Sequence, residues 1–259
     1  MWDYREKVAV VTGASAGLGR RLALDLCSSG AVVVGVARRE ERLRAVVDEM
    51  RTHTSESSYR VCDLSESSSF VDLLDQVERE YGRIDILANI AGVSGILRNE
   101  PITAASLRSI MEVNFVAPVA GMMTVLTGMR KRKSGAIANM SSDDGRAPGP
   151  GAAAYCASKA ALSAATESLS YEARPDSVFL HTVYPGWVPT EMGLTAVREG
   201  GLSMPPRAVR RTEQQVSSLV LRRMFDPRLE INAALLPLAA PILRTVAPRT
   251  YQRMRAAHG

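Results

Sequence analysis

Val8-Ala9-Val10-Val11-Thr12-Gly13-Ala14-Ser15-Ala16-Gly17-Leu18-Gly19 is an apolar strand that runs into a glycine-rich turn and opens a helix. Gly13, Gly17 and Gly19 carry no side chains, so backbone N–H groups and the helix N-terminus can approach a pyrophosphate. A glycine-rich turn alone is also an ordinary tight turn. Its place between a strand and a helix makes it a dinucleotide signal. The alternation continues outward. Short apolar runs at 8–11, 32–37, 59–62, 84–88, 136–140 and 178–184 read as strands. Several are apolar on consecutive residues, as in strands covered on both faces. Helical spacing fills 18–29, 40–51, 67–81, 105–132 and 153–173. Strand–helix–strand repetition predicts an α/β fold with a parallel sheet and right-handed crossovers. Residues 145–151 and 195–207 read as loops. No repeat or low-complexity linker interrupts the chain, so one domain spanning 1–259 is expected.

A chain of 259 residues, 46% of them hydrophobic, can bury one large core. Its net charge of +5 is uneven: from Arg198 onward 11 Arg face 4 acidic residues, a balance of +7. The preceding part carries −2, which argues against a general nucleic-acid binder. Cys27, Cys62 and Cys156 form no CxxC pair, so free thiols in a reducing, cytoplasmic setting are expected. The charged N-terminus lacks a signal-peptide apolar region. No run of about 18 apolar residues predicts a transmembrane helix. His53, His181 and His258 are scattered without metal-ligand spacing, and no metal is expected.

Tyr155 and Lys159 lie at i and i+4 in Y-C-A-S-K and share one helix face. A free Tyr titrates near a pKa of about 10, so proton transfer at neutral pH needs a shift of roughly 3, about 4 kcal/mol. A nearby ammonium group favours the phenolate and can supply much of that.

Several motifs occur in order: the turn at 12–19, Asp63-Leu64, Asn89-Ile90-Ala91-Gly92, Asn114, Ser142, Tyr155-x-x-x-Lys159 and Pro185-Gly186. Over about residues 5–190 the chain resembles the short-chain dehydrogenase/reductase family. The resemblance implies a doubly wound Rossmann sheet in three layers, a nicotinamide cofactor and carbonyl/alcohol chemistry. It makes 1–190 the cofactor-binding and catalytic core, 191–228 a substrate loop and helix, and 229–259 an atypical basic segment.

The end of the second strand selects the cofactor. An acidic residue there would bind the adenosine ribose and favour NAD. This chain has Ala37-Arg38-Arg39. No carboxylate repels a 2′-phosphate, and a guanidinium can bind one. By similarity Arg38 is the main phosphate ligand, with Ser15 assisting and Arg39 a further candidate, so NADP(H) is expected over NAD(H). Gly13, Gly17, Leu18 and Gly19 would face the pyrophosphate. Asp63 and Leu64 would meet the adenine, although Asp63-Leu64-Ser65 could equally start a helix with Ser65 as cap. Asn89, Ala91 and Gly92 would approach the cofactor; Ile90 stands where the family usually has a second Asn. Pro185, Gly186, Val188 and Thr190 would lie beside the nicotinamide.

The resemblance makes Tyr155 the proton donor and acceptor and Ser142 a partner of the substrate oxygen. It makes Lys159 the group that lowers the Tyr155 pKa and holds the ribose. Asn114 would hold a relay water. Plainer readings exist: a strand-end hydroxyl for Ser142, a half-buried tyrosine for Tyr155, a helix kink at Asn114. Trp187 and Met192 point to an apolar or aromatic ketone. Asp143-Asp144 could contact a hydroxylated or cationic substrate or form a solvated loop pair. Residues 230–233 could form a seventh strand, in place of the family's usual ending. Beyond it, Arg244, Arg249, Arg253 and Arg255 among apolar residues fit a lid, a peripheral membrane contact, or a helix packed on its own domain or another subunit. The long helices at 105–132 and 153–173 can form a homodimer interface, and the altered C-terminus removes support for a tetramer. The competing function is a non-catalytic NADP-binding sensor or scaffold.

Overall fold

A computed structural model of the chain describes residues 2–94, 102–199 and 204–257. The expected loop at 195–207 falls partly, and His258 wholly, outside these residues. Among the described residues, seven strands form one parallel sheet in the order β3-β2-β1-β4-β5-β6-β7. They are β1 Val8–Thr12, β2 Val32–Ala37, β3 Ser58–Val61, β4 Ile86–Asn89, β5 Gly135–Met140, β6 Val178–Tyr184 and β7 Glu230–Asn232. The crossover helices are α1 Gly17–Ser28, α2 Glu40–Arg51, α3 Ser67–Tyr81, α4 Ala104–Met111, α5 Ala117–Arg132, α6 Asp143–Arg146 and α7 Ala153–Ala173. After β6 come α8 Glu191–Arg198, α9 Glu213–Arg223, α10 Ala239–Val246 and α11 Pro248–Ala257.

Alternation along β1 shows why the sheet needs cover on both sides. Val8 and Val10 pack into the core shared with α3, α5 and α7, and Ala9 and Val11 into the core shared with α1, α2 and α9. Period-2 geometry sends successive side chains to opposite faces, so an unbroken apolar strand must be buried twice. Fully buried Phe70 on α3 is worth about 2–3 kcal/mol in apolar burial. Its ring fits because α5 has Gly121 opposite, where a Cβ would lie 2.6 Å from Phe70 Cε1.

The single helix expected over 105–132 is α4 and α5 joined by a π-helical turn, Glu112–Val116, centred on Asn114. By length and composition this continuous helix could cross a membrane. Met122, Val125, Leu126 and Met129 are instead buried in the core, which explains its apolar character. Residues 143–146, partly assigned to a loop from sequence, form the short α6, capped by Ser142. Ser65 does not cap α3, which starts at Ser67; Asp63 Oδ1 instead accepts the Ser65 N–H at 3.0 Å in a turn.

Candidate active site

All strand C-termini of a parallel sheet lie at one edge, and there the loops after β1 to β6 enclose a cleft of about 1000 Å³. Gly13, Ser15, Gly17, Leu18 and Gly19 line one end. Gly13 sits at φ +71°, in the left-handed region, and a Cβ there would lie 3.0 Å from the Ala91 backbone. At Gly19 a Cβ would meet the Gly13 carbonyl oxygen at 2.3 Å. The turn is therefore bare backbone, suited to a phosphate group.

Thr12, to which no role was assigned from sequence, locks this turn to the next. Its Oγ accepts the N–H groups of Ile90 and Ala91 at 3.0 and 3.1 Å. A hydroxyl at a strand end immediately before Gly13 was the available signal. Ala91 and Gly92 line the cleft. Asn89 does not, and its assignment as a cofactor contact is corrected. Its buried side chain donates to Asn139 Oδ1 at 2.8 Å and to the Pro118 carbonyl at 3.4 Å, beneath the cleft floor.

Arg38 and Arg39 lie at the end of β2 with no carboxylate of their own strand beside them. Arg38 faces Asp63 at 3.7 Å, while Arg39, rather than Arg38, reaches Ser15 Oγ at 3.5 Å. Glu191, at the start of α8, spans the cleft to Arg39 at 3.3 Å and Arg42 at 3.2 Å. Asp63 and Leu64 line the wall between these arginines and the Ala91 turn. A bare glycine turn at the end of β1 fits the phosphates of a dinucleotide.

At the other end α7 presents Tyr155 and Lys159 toward Ser142, which follows β5. Buried Lys159 donates from Nζ to the Met140 carbonyl at 2.8 Å, and its Nζ lies 5.9 Å from the Tyr155 ring centre. A Cβ on Gly92 would lie 3.3 Å from Lys159 Nζ and 3.1 Å from Asn114 Oδ1, so the backbone here runs close against both side chains. Asn114 is fully buried behind the cleft. Its Oδ1 accepts from Val93 N at 2.8 Å, and its Nδ2 donates to the Val93 carbonyl and to Ser158 Oγ at 2.9 and 3.0 Å. The helix-kink reading of Asn114 matches the π-helical turn at 112–116. Its side chain is spent on holding the turn after β4 against α7.

Burial dominates the Tyr155 phenol. Burial pushes Tyr155 up to about 12, opposed by the Ser142 side-chain hydrogen bond and aided by Asp144, Cys156 and Asp143. Burial lowers Lys159 to about 8. The Lys159 ammonium is engaged by the Met140 carbonyl.

Pro185, Gly186, Val188 and Thr190 follow β6 into the cleft, and Trp187 and Met192 join them there. Asp143 and Asp144 are both partly buried and line the cleft beside Ser142. Burial raises Asp143 to about 6, against the pull of Arg146. Burial also raises Asp144, against the pull of Arg255. Leu236, Leu243, Tyr251, Met254 and Arg255 from the C-terminal segment complete the wall. Sequence offered the lid among several readings but could not aim these side chains.

A family model described as short chain dehydrogenase matches residues 7–199. A short chain dehydrogenase of Pseudocercospora fijiensis is 34% identical, covering 94% of this chain and 76% of its own length. Dehydrogenase/reductase SDR family member 7B of Danio rerio is 33% identical, over 98% and 86%. A metagenomic short-chain oxidoreductase solved with NADP superposes with a TM-score of 0.76 at 30% identity, over 90% of this chain and 98% of that one. An actinorhodin polyketide ketoreductase variant solved with NADPH gives 0.80 at 27%, over 88% and 95%. The glycine turn, the Tyr155–Lys159 helix and these matches agree: the chain belongs to the short-chain dehydrogenase/reductase family and is an oxidoreductase.

Proposed function

We propose that this protein is an NADP(H)-dependent reductase or dehydrogenase that interconverts a ketone and a secondary alcohol on an apolar small molecule. The observation that carries this reading is one cleft with arginines at the end of β2 and Ser142, Tyr155 and Lys159 at the other, walled by Trp187, Met192, Leu236 and Leu243. When bound, a nicotinamide would supply or accept the hydride at the carbonyl carbon. Arg39 and Ser15 bind the 2′-phosphate together with Arg38, and the backbone at Gly13–Gly19 takes the pyrophosphate. Tyr155 donates its phenolic proton to the carbonyl oxygen in reduction and accepts it back in oxidation. Ser142 hydrogen-bonds that oxygen as negative charge grows on it. Lys159 holds the ribose hydroxyls, and Asn114 keeps the Ala91–Val93 turn in register with α7. Support for NADP(H) also comes from the two relatives described above, solved with NADP and NADPH.

The test is a fluorescence titration with NADPH and NADH, followed by an NADPH-coupled screen of cyclic, aromatic and long-chain ketones. Wild type binds NADPH more tightly and turns over an apolar ketone. Tyr155→Phe keeps cofactor binding and loses about 10²–10⁴-fold in kcat. Cofactor binding with no turnover of any ketone or alcohol would point instead to a nucleotide sensor.

A further inference from the structure

Helix α8 is held to the rest of the protein by little. Of its eight residues only Ala196 is buried, and its cap Thr190 accepts the N–H of Gly193 within the same turn. Among the described residues, Glu191 is the one α8 side chain with an ion pair or hydrogen bond to another element. An element with so few buried contacts is readily displaced. Yet α8 also walls the cleft through Met192, Thr195 and Ala196.

Glu191 ties this wall to the arginines after β2. Its Oε2 accepts from Arg39 Nη1 at 3.3 Å and from Arg42 Nη1 at 3.2 Å. The same Arg39 guanidinium reaches Ser15 Oγ from Nη2 at 3.5 Å. Thr190, one residue earlier, packs on the glycine turn: its Cγ2 lies 3.2 Å from where a Cβ on Gly17 would stand. The carboxylate therefore shares a guanidinium with the serine read above as a 2′-phosphate ligand. All three charged side chains are exposed, so each pair is weak. A phosphate monoester near pH 7 brings a charge of about −1.5 to −2 and three acceptor oxygens, against a single charge on the carboxylate. The phosphate wins the guanidinium groups.

We propose that Glu191 is an internal stand-in for the 2′-phosphate: it latches α8 to Arg39 and Arg42 in the free enzyme, and the phosphate of NADP(H) releases it. NAD(H), which lacks that phosphate, leaves the latch closed. The distal phosphate of the cofactor thus sets the position of the wall that carries Met192. The two ligation states differ in a named contact, as a coupling between sites requires. The inference rests on the reading of Arg38, Arg39 and Ser15 as the 2′-phosphate site.

Trp187 reports on α8. Its backbone N–H donates to the Val209 carbonyl at 2.9 Å and its carbonyl accepts from Arg211 N at 2.8 Å, which fixes it independently of α8. Its indole Nε1 lies 3.6 Å from where a Cβ on Gly193 would stand. The other tryptophan is the exposed Trp2, so Trp2→Phe isolates the signal. This protein is titrated with 2′,5′-ADP and with 5′-ADP, following emission by fluorescence and binding by calorimetry. The 2′,5′-ADP binds about tenfold tighter and moves the emission to the red as Gly193 leaves the indole. The 5′-ADP binds without that shift. Glu191→Gln starts at the shifted emission, gains nothing further from 2′,5′-ADP and binds it about twofold tighter. Arg42→Ala, which leaves α8 itself intact, starts partly shifted. Tighter binding of 2′,5′-ADP with unchanged emission overturns the latch alone. So does an equal shift with 5′-ADP, or Glu191→Gln and Arg42→Ala that both start at the unshifted emission. Binding of 2′,5′-ADP no tighter than 5′-ADP overturns the phosphate site and the latch with it.

Discussion

Arg255, on the last helix, donates to the Asp144 carboxylate at 3.2 Å, two residues beyond Ser142. It also donates to the carbonyls of Ala147 and Pro148, at 2.7 and 3.3 Å, and Tyr251 reaches Pro148 at 3.5 Å. The C-terminal segment is thus fastened to the loop that carries the proposed oxygen-binding serine.

Removing that fastening acts on substrate rather than cofactor, because Arg255 is remote from the glycine turn. Arg255→Ala raises KM for the ketone about tenfold and leaves the NADPH Kd unchanged, the loss of one charge-assisted contact. Asp144→Asn raises KM less, since the carbonyl bonds persist. A double-mutant cycle gives a coupling of about 1 kcal/mol. Additive effects in KM would show that the pair is incidental.

The pH profile of reduction breaks at the lysine, not at the tyrosine. Tyr155, held at about 12, stays a protonated donor throughout the working range. Lys159, lowered to about 8, is charged below that pH and loses its charge above it. kcat/KM reports groups of the free enzyme. For reduction it is therefore flat below about pH 8 and falls as pH rises through it. A plateau extending past about pH 10, the ordinary lysine range, would contradict the burial of Lys159.

The glycine turn and the parallel alternation were legible in the sequence because both are local patterns with fixed periods. So was the Tyr155–Lys159 spacing, which any helix places on one face. What escaped depends on where side chains meet across the fold. Asn89 reads as a cofactor contact, yet the register that pairs it with Asn139 turns its amide into the core. Thr12 looks like a strand end until Ile90 and Ala91, 78 and 79 residues later in the chain, arrive in the turn after β4. The sequence leaves two readings of Asp143-Asp144 open because Arg255, which donates to Asp144, lies more than a hundred residues away.

Glu191 competes for the arginines proposed to bind the 2′-phosphate. Its carboxylate contacts Arg39 and Arg42, and those guanidinium groups hold it below the usual carboxylate range. Arg39→Ala weakens NADPH about tenfold, and Arg38→Ala somewhat less, with NADH little changed. Glu191→Gln tightens NADPH about twofold, the modest effect of an exposed pair. Titration of the three variants with both cofactors checks the ranking. An equal loss of NADH and NADPH in Arg39→Ala would mean that it supports the fold and not the phosphate.

Asp143 makes stability fall where catalysis operates. Its Oδ1 is buried with no hydrogen-bond partner, and burial holds the carboxyl at about 6 instead of 3.8. A raised folded-state pKa means that the folded protein prefers the protonated acid. That preference contributes stability in full below about pH 4 and is lost as pH rises through about 6. Asp143→Asn keeps the neutral form at every pH. Arg146 retains Glu230 at 3.0 Å, so the substitution does not strip the guanidinium of its partner. Urea unfolding of wild type and Asp143→Asn then coincides near pH 4, and the variant is more stable near pH 8 by on the order of 2 kcal/mol. Equal midpoints at both pH values would mean that the carboxylate is solvated. A variant less stable at pH 8 would mean that its attraction to Arg146 outweighs its burial.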